Sequence, residues 1–390
     1  MAQLYIWQQA NWPDFCYQQK ALQPQLEAVR QQQGLLLGQL QGLPAGEDRQ
    51  AQMDALIQSA IRTSEIEGEE LNVGSVRSSV AKQLGLNQAG LPATTPQTDA
   101  VVAMLLDATE HYASPLSLKR LCGWQSQLFP DNDTAITPVI TGALRDDSPM
   151  QVVSGRVDRP HVHFEAPPRA GLEQQLEAFL SWFNRPPEGL DPILRAGIAH
   201  LWLITLHPFD DGNGRVTRAV TDMALAQAER QSIRFYSLSA AIMARRKQYY
   251  EQLEQAQKGE LDITGWLAWY LSVLEDAMRQ GQAGFERVLA KARYWQRHAR
   301  TVLSERQMKV LNRLLDSGVG RNNPDEFPEG IAAKHYISLA RVSKATATRE
   351  LSDLLAKGCI EKLPGGGRST RYVVAWGEEY LGSHETNTHR

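Results

Sequence analysis

Apolar side chains recur three and four residues apart along most of this chain, and polar side chains fill the positions between them. This spacing places the apolar side chains on one face of an α-helix, so it predicts a helix wherever it persists. The segments predicted to be helical are 18–42, 47–67, 75–84, 98–112, 117–128, 171–185, 192–206, 240–253, 261 towards 300, 303–315, 333–340 and 343–357. A mainly α-helical protein is therefore expected.

The helical spacing disappears over residues 130–168. Residues 151–156 and 161–164 instead alternate between apolar and polar side chains on either side of a short turn, which predicts a β-hairpin. His161 and His163 are two apart and share one strand face. This spacing suits either a metal-binding pair or exposed hairpin histidines, and the second is favoured.

The last part of the chain has a different pattern. A loop rich in glycine, asparagine, proline and acidic residues spans 316–330, and two short helices follow it. Glycines between Lys362 and Tyr372 predict a turn between two strands. Residues 331–375 contain eight Lys or Arg and three Asp or Glu. The pattern resembles a winged helix-turn-helix, which leaves two uses open: binding of duplex DNA, or contacts with another protein or a second copy of the chain.

Composition adds few constraints. With 390 residues, the chain is longer than most single domains, so more than one domain is expected. An apolar fraction of 42% and a net charge of −3 indicate neither a nucleic-acid-binding nor a membrane protein as a whole. Cys16, Cys122 and Cys359 are far apart and predict neither a disulfide framework nor a zinc site. No apolar run approaches about 18 residues, so the expected location is the cytoplasm, without membrane contact.

Reactive side chains are concentrated in the stretch HPFDDGNGRVTR, residues 207–218. It follows the apolar segment 192–206 and begins at a His-Pro step, where the chain must leave the α-helix. Gly212, Asn213 and Gly214 tolerate unusual backbone angles and let backbone N–H groups converge. Helical spacing then resumes. The stretch therefore predicts a helix, a tight loop and a second helix whose N-terminus is suited to binding an anion.

Four side chains of this stretch supply the groups that phosphoryl or nucleotidyl transfer needs. Arg215 and Arg218, three apart on the first turn of the second helix, add two permanent positive charges. Asp211 offers a hard oxygen ligand for Mg²⁺ shared with phosphates. The imidazole of His207 can take a proton near neutral pH. The alternative without chemistry is a helix–loop–helix corner that carries surface arginines.

The same stretch resembles the signature of the Fic family, HxFx(D/E)GNGRxxR, at all eight specified positions. The resemblance implies a Fic helical core and transfer of AMP from ATP to a serine, threonine or tyrosine hydroxyl of a protein, or of the chain itself. It also implies individual roles: His207 as general base, Phe209 as buried anchor of the loop, Asp211 as Mg²⁺ ligand, Gly212, Asn213 and Gly214 as phosphate cradle, and Arg215 and Arg218 as neutralising charges. Relatives that phosphorylate carry lysine at the position of Gly214, which favours AMP transfer here.

A second resemblance concerns the end of the helix predicted over 47–67. Thr63, Glu67 and Gly68 match the inhibitory motif of the family, (S/T)xxxE(G/N). A glutamate at a helix C-terminus opposes the helix dipole, so a positive partner elsewhere in the fold is expected. In the family this glutamate pairs with the last arginine of the signature, here Arg218, and keeps the enzyme inactive. It can also position a water that removes AMP again.

Two other parts of the chain match the family less closely. The predicted hairpin and the preceding Gly142–Arg145 correspond to a flap that holds the target segment by strand addition. Tyr249 or Tyr250 corresponds to a tyrosine beside the adenine, and Tyr249 is the one predicted to bind the nucleotide. Aromatic side chains at this spacing also pack in cores, which is the alternative.

The expected organisation is an N-terminal helical domain over 1–95 that contains the inhibitory helix, a Fic core over 96–295, a winged helix-turn-helix over 300–376 and a tail over 377–390. The expected partners are ATP with Mg²⁺, a target protein or the chain itself, duplex DNA and a second copy of the chain. The competing function is that of a DNA-binding transcriptional regulator whose Fic core only senses a nucleotide.

Overall fold

The computed structural model describes residues 5–40, 47–86, 91–132, 138–156, 159–232, 234–316, 330–364 and 370–376. Over these residues the protein is mainly α-helical, with two small antiparallel sheets, which confirms the predicted fold class. The chain divides into two compact units, Met1–Gln282 and Ala283–Arg390, and each has its own hydrophobic core. No helix in the described ranges is long and apolar enough to cross a membrane. The predicted domain boundaries remain predictions.

The first unit begins with a 3₁₀ turn, Ile6–Gln8, and is otherwise built from helices and one hairpin. Its helices are α1 (Gln19–Leu40), α2 (Glu47–Ile66), α3 (Val73–Gln83), α4 (Pro96–Glu110), α5 (Leu118–Gln127), α6 (Leu172–Asn184), α7 (Pro192–Leu206), α8 (Asn213–Glu229), α9 (Leu238–Ala244), α10 (Arg246–Gln257) and α11 (Thr264–Arg297), whose last residues belong to the second unit. Its strands are β1 (Gln151–Arg156) and β2 (Arg159–Glu165).

Helices α7 and α8 lie in the core of this unit and carry the signature between them. Asp191 caps α7 by accepting the backbone N–H groups of Ile193 and Leu194, and Pro192 occupies its first turn. Every residue of α7 after Pro192 is buried, as expected for a helix that is apolar on almost all sides. In α8 burial extends from Asn213 to Ala226. The loop that joins the two helices is therefore fixed at both ends.

One predicted helix is two helices in the structure. The apolar spacing over 240–253 predicts a single helix, but α9 and α10 are separated at Arg245, which has φ −122° and ψ 31°. The guanidinium of Arg245 binds Ser272 and Asp276 on α11. These tertiary contacts outweigh the local helical preference, and no feature of the local spacing reveals them.

Strands β1 and β2 form the predicted hairpin, and one of them contains a bulge. Val152 lies opposite Phe164, whereas the next residue, Val153, lies opposite Val162. His163 is therefore an extra residue in β2. A β-bulge of this kind bends the strand and changes the direction of the side chain that it carries.

Over its described residues, the second unit contains three further helices and a two-stranded sheet. They are α12 (Glu305–Asp316), α13 (Ala333–Ala340), α14 (Lys344–Ala356), β3 (Ile360–Lys362) and β4 (Tyr372–Val374). Ser343 caps α14 by accepting the backbone N–H of Thr346. These elements follow one another in the order predicted from the sequence. The winged helix-turn-helix itself stays a prediction, because most of the predicted loop 316–330, the turn glycines at 365–367 and the tail 377–390 lie outside the described residues.

Candidate active site

The loop between α7 and α8 is closed by hydrogen bonds of its own. The side chain of Asn213 accepts the backbone N–H of Phe209 at 2.9 Å and donates to the carbonyl of the same residue at 2.7 Å. The Phe209 ring is fully buried and anchors the loop. Gly212, with φ 86°, takes the left-handed conformation that precedes α8. Because the Asn213 side chain is engaged in closing the loop, α8 offers an anion the backbone N–H groups of its first turn.

His207 ends α7 in a left-handed conformation, with φ 47° and ψ 58°. The following proline predicts that His207 leaves the helix, and a positive φ is an uncommon way for histidine to do so. Arg145 stabilises this conformation, since its Nε donates to the His207 carbonyl at 2.8 Å and its backbone N–H to the Pro208 carbonyl at 3.0 Å. The backbone of the proposed base is therefore fixed by a buried arginine.

Arg145 is a functional residue that the sequence revealed only in part. The segment Gly142–Arg145 could be singled out by its resemblance to the family, but its contact could not. Arg145 meets a backbone carbonyl 62 residues further along the chain. It also donates to the carbonyl of Pro167, so its guanidinium joins the segment after the hairpin to the signature loop. No local spacing predicts contacts of this kind.

The imidazole of His207 has the protonation state of a base. Its Nδ1 lies 3.1 Å from the carbonyl oxygen of Ile204, which can only accept a hydrogen bond. Nδ1 therefore carries the proton, and Nε2 keeps a free lone pair. Burial lowers the pKa of His207, and the hydrogen bond to Ile204 offsets only part of that effect. The side chain is consequently neutral at pH 7 and able to accept a proton.

Arg218 is buried against the end of α2. Its Nε donates to Oγ1 of Thr63 at 2.7 Å and its Nη2 to the Thr63 carbonyl at 2.8 Å. The same Nη2 lies 2.7 Å from Oε1 of Glu67. Burial alone lowers the pKa of a guanidinium, but the charge and hydrogen bond of Glu67, together with Tyr249 and Tyr250, more than offset this effect, so the pKa of Arg218 is raised. The ion pair expected from the inhibitory motif is present, and Thr63 adds two contacts to it.

The carboxylate of Glu67 lies directly against the backbone of Gly214. A Cβ atom at Gly214 would be 2.0 Å from Oε1 of Glu67 and 3.1 Å from Nη1 of Arg218. Any side chain at this position would displace the carboxylate, because non-bonded atoms do not approach so closely. Glu67 thus occupies the N-terminus of α8, where the helix dipole favours an anion.

Arg215 is also buried, and a second carboxylate of the N-terminal segment contacts it. Its Nη1 lies 2.6 Å from Oε2 of Glu69, and its Nη2 lies 3.9 Å from Oδ1 of Asp211. The guanidinium lies over the ring of Phe129, 5.2 Å from the ring centroid. No role was predicted for Glu69 from the sequence. Its position two residues after Glu67 is the feature that could have indicated a role.

The two arginines retain unused donors. Nη1 of Arg218 and Nε of Arg215 are buried and have no hydrogen-bond partner in the part of the chain that the structure describes. A buried donor without a partner is costly, and a phosphate oxygen would satisfy it. The Asp211 side chain is 57% exposed beside Arg215. One exposed carboxylate suits Mg²⁺, which keeps several waters and shares its site with substrate phosphates. The residues present therefore fit a polyphosphate with Mg²⁺.

The end of α2 is held in place by α10. Nε of Arg246 donates to the carbonyl of Ile66 at 2.9 Å, and the hydroxyl of Tyr250 donates to the same oxygen at 3.0 Å. Such a carbonyl lacks a partner inside its own helix, because the helix ends there. The two side chains of α10 supply that partner and fix the segment that carries Glu67.

The two tyrosines considered for the nucleotide pocket lie in different surroundings. Tyr249 is 1% exposed, its hydroxyl is 3.0 Å from Nε2 of His200, and its ring stacks on Trp269. Tyr250 is 38% exposed. Tyr249 therefore packs in the core, and Tyr250 is the more accessible of the pair. The nucleotide contact predicted for Tyr249 stays a prediction.

Comparison with protein families identifies two regions of the chain. Residues 115–225 match the Fic/DOC family, and residues 5–86 match a domain of unknown function, DUF4172. The first match contains the whole signature, including His207. The second contains Thr63 and Glu67, so the two sides of the ion pair with Arg218 come from different matched regions.

The curated relatives are protein adenylyltransferases. The chain is similar to the protein adenylyltransferase Fic of Nematostella vectensis, with 35% identity over 117 residues, which is 29% of this chain and 26% of the relative. It is also similar to the protein adenylyltransferase Fic of Drosophila grimshawi, with 30% identity over 115 residues, which is 29% of this chain and 23% of the relative. The chain spans about a quarter of the length of these relatives.

The likeness to solved structures extends over more of the chain. A Fic family protein from Desulfovibrio desulfuricans G20 has a TM-score of 0.51 and 18% identity, over 91% of this chain and 95% of that one. At this level of identity, the match concerns the fold. The Fic fold predicted from the signature is thereby confirmed. Residues 115–225 of this chain thus form a Fic/DOC family domain.

Proposed function

We propose that this protein transfers AMP from ATP to a serine, threonine or tyrosine hydroxyl of a protein, or of itself, and that the end of α2 holds it inactive. One observation supports the transfer best. The neutral imidazole of His207 lies in the loop that leads into a helix N-terminus with two buried arginines. The names of the curated relatives agree with this chemistry.

The proposed reaction exchanges one bond at phosphorus for another. The acceptor oxygen bonds to the α-phosphorus of ATP, and the bond from that phosphorus to the oxygen bridging the β-phosphate breaks. Pyrophosphate leaves with the electron pair, and Nε2 of His207 takes the proton of the hydroxyl. Because phosphoryl-type transfers need little covalent help from the protein, positioning and electrostatic stabilisation provide most of the catalysis.

The phosphates would be bound by groups that the fold has already placed. Arg215 and Arg218 neutralise the β- and γ-phosphates, and the backbone of Gly214 lets an anion approach the start of α8 closely. Asp211 would hold Mg²⁺, which when bound adds positive charge next to the phosphates. The guanidinium groups of Arg215 and Arg218 are already in place for these contacts, so this part of the site is preorganised once the end of α2 has moved away.

The contacts of Glu67 support the inhibitory part of the proposal. Its carboxylate has the charge of a phosphate oxygen, lies 2.7 Å from Arg218 and contacts Gly214. Glu69 engages Arg215 in the same manner. Both arginines are therefore committed to carboxylates of the N-terminal segment. Productive binding of ATP requires the end of α2 to move away first.

A transfer assay with α-labelled ATP tests both parts. We expect Glu67→Gly to raise self-labelling by at least about tenfold, the equivalent of about 1.4 kcal/mol, because Arg218 becomes available to the nucleotide. Glu70→Gly, a change of an exposed glutamate in the same segment, is the matched control and should leave labelling unchanged. The double variant Glu67→Gly/His207→Ala should lose labelling and still bind ATP, because imidazole is needed for proton transfer and not for phosphate.

Each outcome bears on a separate claim. Equal labelling of wild type and Glu67→Gly would remove the inhibitory role of Glu67. Loss of ATP affinity in the double variant would contradict the role of His207 as base. Absence of label from every variant, with a cell lysate present as a source of targets, would contradict AMP transfer itself.

A second candidate function belongs to the second unit. We propose that α14 contacts duplex DNA, because Lys344 and Arg349 are both exposed near its start. Exposed basic side chains at the start of such a helix suit contacts with phosphates. This function and AMP transfer rest on different residues and are compatible with each other.

A further inference from the structure

The β-hairpin carries a cluster of side chains that the transfer reaction does not use. His161 and His163 of β2 and Glu254 of α10 each offer one ligand atom, and these three atoms all lie within 4.8 Å of one another. Nδ1 of His163 is 2.7 Å from Oε2 of Glu254. The two imidazole rings meet edge to face, with centroids 4.5 Å apart. The cluster therefore joins a strand to a helix through side chains alone.

The bulge in β2 explains why these side chains come together. In the strand register, no residue of β1 lies opposite His163, and a bulge redirects the side chain that it carries. The redirected imidazole meets Glu254, while His161 lies two residues away on the same strand. Bulges recur at sheet edges and next to active sites, where they re-aim a side chain.

Two imidazoles and one carboxylate form a ligand set that zinc uses with water in the fourth position. Zinc–nitrogen bonds of about 2.0–2.1 Å in a tetrahedron separate ligand atoms by about 3.3–3.5 Å. Ligand atoms already within 4.8 Å need to move by no more than about 1.5 Å to reach that geometry. Mg²⁺ prefers oxygen ligands only, so nitrogen ligands distinguish this cluster from the predicted Mg²⁺ ligand Asp211.

We propose that His161, His163 and Glu254 bind one Zn²⁺ ion, which ties the hairpin to α10. Lys258 binds Oε1 of Glu254, so the oxygen that would bind the metal is Oε2, which now contacts Nδ1 of His163. His161 is exposed and His163 and Glu254 are half-buried, so both the ion and a water ligand have access. The site is separate from the residues assigned to ATP.

The competing explanation is a hydrogen bond between His163 and Glu254 that fastens the hairpin without a metal. His161 separates the two explanations, because a hydrogen-bonded pair needs no second imidazole, whereas a three-ligand site does. His161→Gln therefore removes a metal ligand and leaves the pair intact. Since His161 is exposed, this change should not disturb folding.

The test uses the full chain, treated with a chelator and studied without nucleotide. Zn²⁺ is titrated by calorimetry, and Co²⁺, which takes the same geometry and absorbs visible light, is titrated by spectroscopy. We expect one equivalent of Co²⁺ to give tetrahedral bands without a thiolate charge-transfer band, and excess Mg²⁺ not to displace it. His161→Gln and Glu254→Gln should each weaken Zn²⁺ binding by at least about tenfold, since even an outer partner of a metal ligand contributes that much.

His111→Gln is the matched control. His111 is also an exposed histidine paired with a carboxylate, at 2.9 Å from Asp107, and that pair is not part of the three-ligand cluster. This variant should bind Zn²⁺ as the wild type does. Unchanged affinity in His161→Gln, thiolate bands in the Co²⁺ spectrum, or no binding by the wild type at micromolar Zn²⁺ would each overturn the proposal. All these measurements read binding directly, so they are independent of AMP transfer.

Discussion

Two neighbouring residues and burial determine the tautomer, the backbone conformation and the charge of His207. Ile204 fixes the tautomer, Arg145 fixes the left-handed backbone, and burial disfavours the charged ring. A histidine with positive φ stores strain that the surrounding contacts have to compensate. Removing Arg145 would release that strain and move the imidazole, and it would also remove a positive charge that lowers the pKa of His207. The chemistry available to His207 thus depends on its surroundings as much as on its side chain.

The lowered pKa of His207 gives a prediction for the pH profile. Because burial lowers the pKa, the imidazole is still neutral somewhat below the pH at which free histidine takes a proton, about 6.5. Activity should therefore be level at pH 7 to 8 and fall only as the pH drops through the lowered value. The rate of self-labelling by Glu67→Gly, measured from pH 5 to 8 at low ATP, shows this fall in activity at acidic pH. A midpoint above pH 7 would contradict the assignment.

Buried His200 gives a prediction for stability. Burial, together with the charge of Arg218, lowers its pKa to about 3, and both ring nitrogens are engaged, with Thr221 and Tyr249. In the unfolded chain, His200 takes a proton near pH 6.5. Between pH 6.5 and about 3, the unfolded chain therefore binds a proton that the folded protein does not, and lowering the pH favours unfolding. The free energy of unfolding should fall by up to about 1.4 kcal/mol for each pH unit below 6.5 because of this residue.

The measurement is a difference between two proteins. Denaturant unfolding of the wild type and of His200→Gln is compared at pH 7, 6 and 5, so that contributions from carboxyl groups cancel. Glutamine cannot take a proton, so the wild type should lose stability faster than the variant as the pH falls. Parallel curves would mean that His200 takes a proton as readily in the folded protein as in the unfolded chain.

The meeting of two helix ends explains why α2 can be an inhibitor. The C-terminus of α2 disfavours carboxylates, and the N-terminus of α8 favours them. Glu67 and Glu69 follow the C-terminus of α2 and lie at the N-terminus of α8. Their negative charges are therefore stabilised by α8 and its two arginines. Arg246 and Tyr250 on α10 hold the arrangement through Ile66. Three helices, α2, α8 and α10, therefore determine whether this anion site is blocked.

The two carboxylates should contribute unequally. Glu69 is 47% exposed, and such an ion pair contributes little free energy. Glu69→Gln should therefore raise self-labelling only about two- to fivefold, less than Glu67→Gly. Glu65→Gln is the control, because Glu65 pairs with Arg62 on its own helix. If Glu69→Gln matched Glu67→Gly, Arg215 rather than Arg218 would be the arginine that limits ATP binding.

The contacts of these elements show where prediction from sequence ends. Helices α2, α7 and α8 and the hairpin were predictable because each has its own apolar spacing, glycine or cap. The signature loop was predictable because its chemistry lies within twelve consecutive residues. The break at Arg245, the anchor Arg145 and the bulge at His163 were not, since each depends on a partner distant in the chain. Glu69 was missed for the same reason.

The first unit carries the Fic signature, and the second unit contains a segment with more basic than acidic residues. The net charge of −3 for the chain hides an excess of positive charge over residues 331–375. Local charge of this kind affects association with polyanions even when the total charge is small. The two units each have a separate core, so a change in the surface of one should leave the chemistry of the other intact.

DNA binding by the second unit can be tested on the full chain. If α14 contacts phosphates, affinity for a duplex should fall steeply as salt rises, because binding releases counterions. Lys344→Ala and Arg349→Ala together should reduce both the affinity and the salt slope, the slope by about one unit for each phosphate that the variant no longer binds. Lys247→Ala, a change of an exposed lysine in the first unit, is the control. No binding to any duplex at low salt would favour a role in protein contacts.

The close approach of Glu67 to Gly214 has a genetic consequence. The same glycine that gives an anion access to α8 also gives the inhibitor its place, so no substitution there can favour the active state over the inactive one. Mutations that raise activity and mutations that abolish it should therefore lie in different parts of the gene. Codons 63–69, with those for Arg246 and Tyr250, are where gain of function can arise, whereas codons 207–218 can yield only loss. Under the proposed function, a single mutation can thus release the activity only by damaging the part that restrains it.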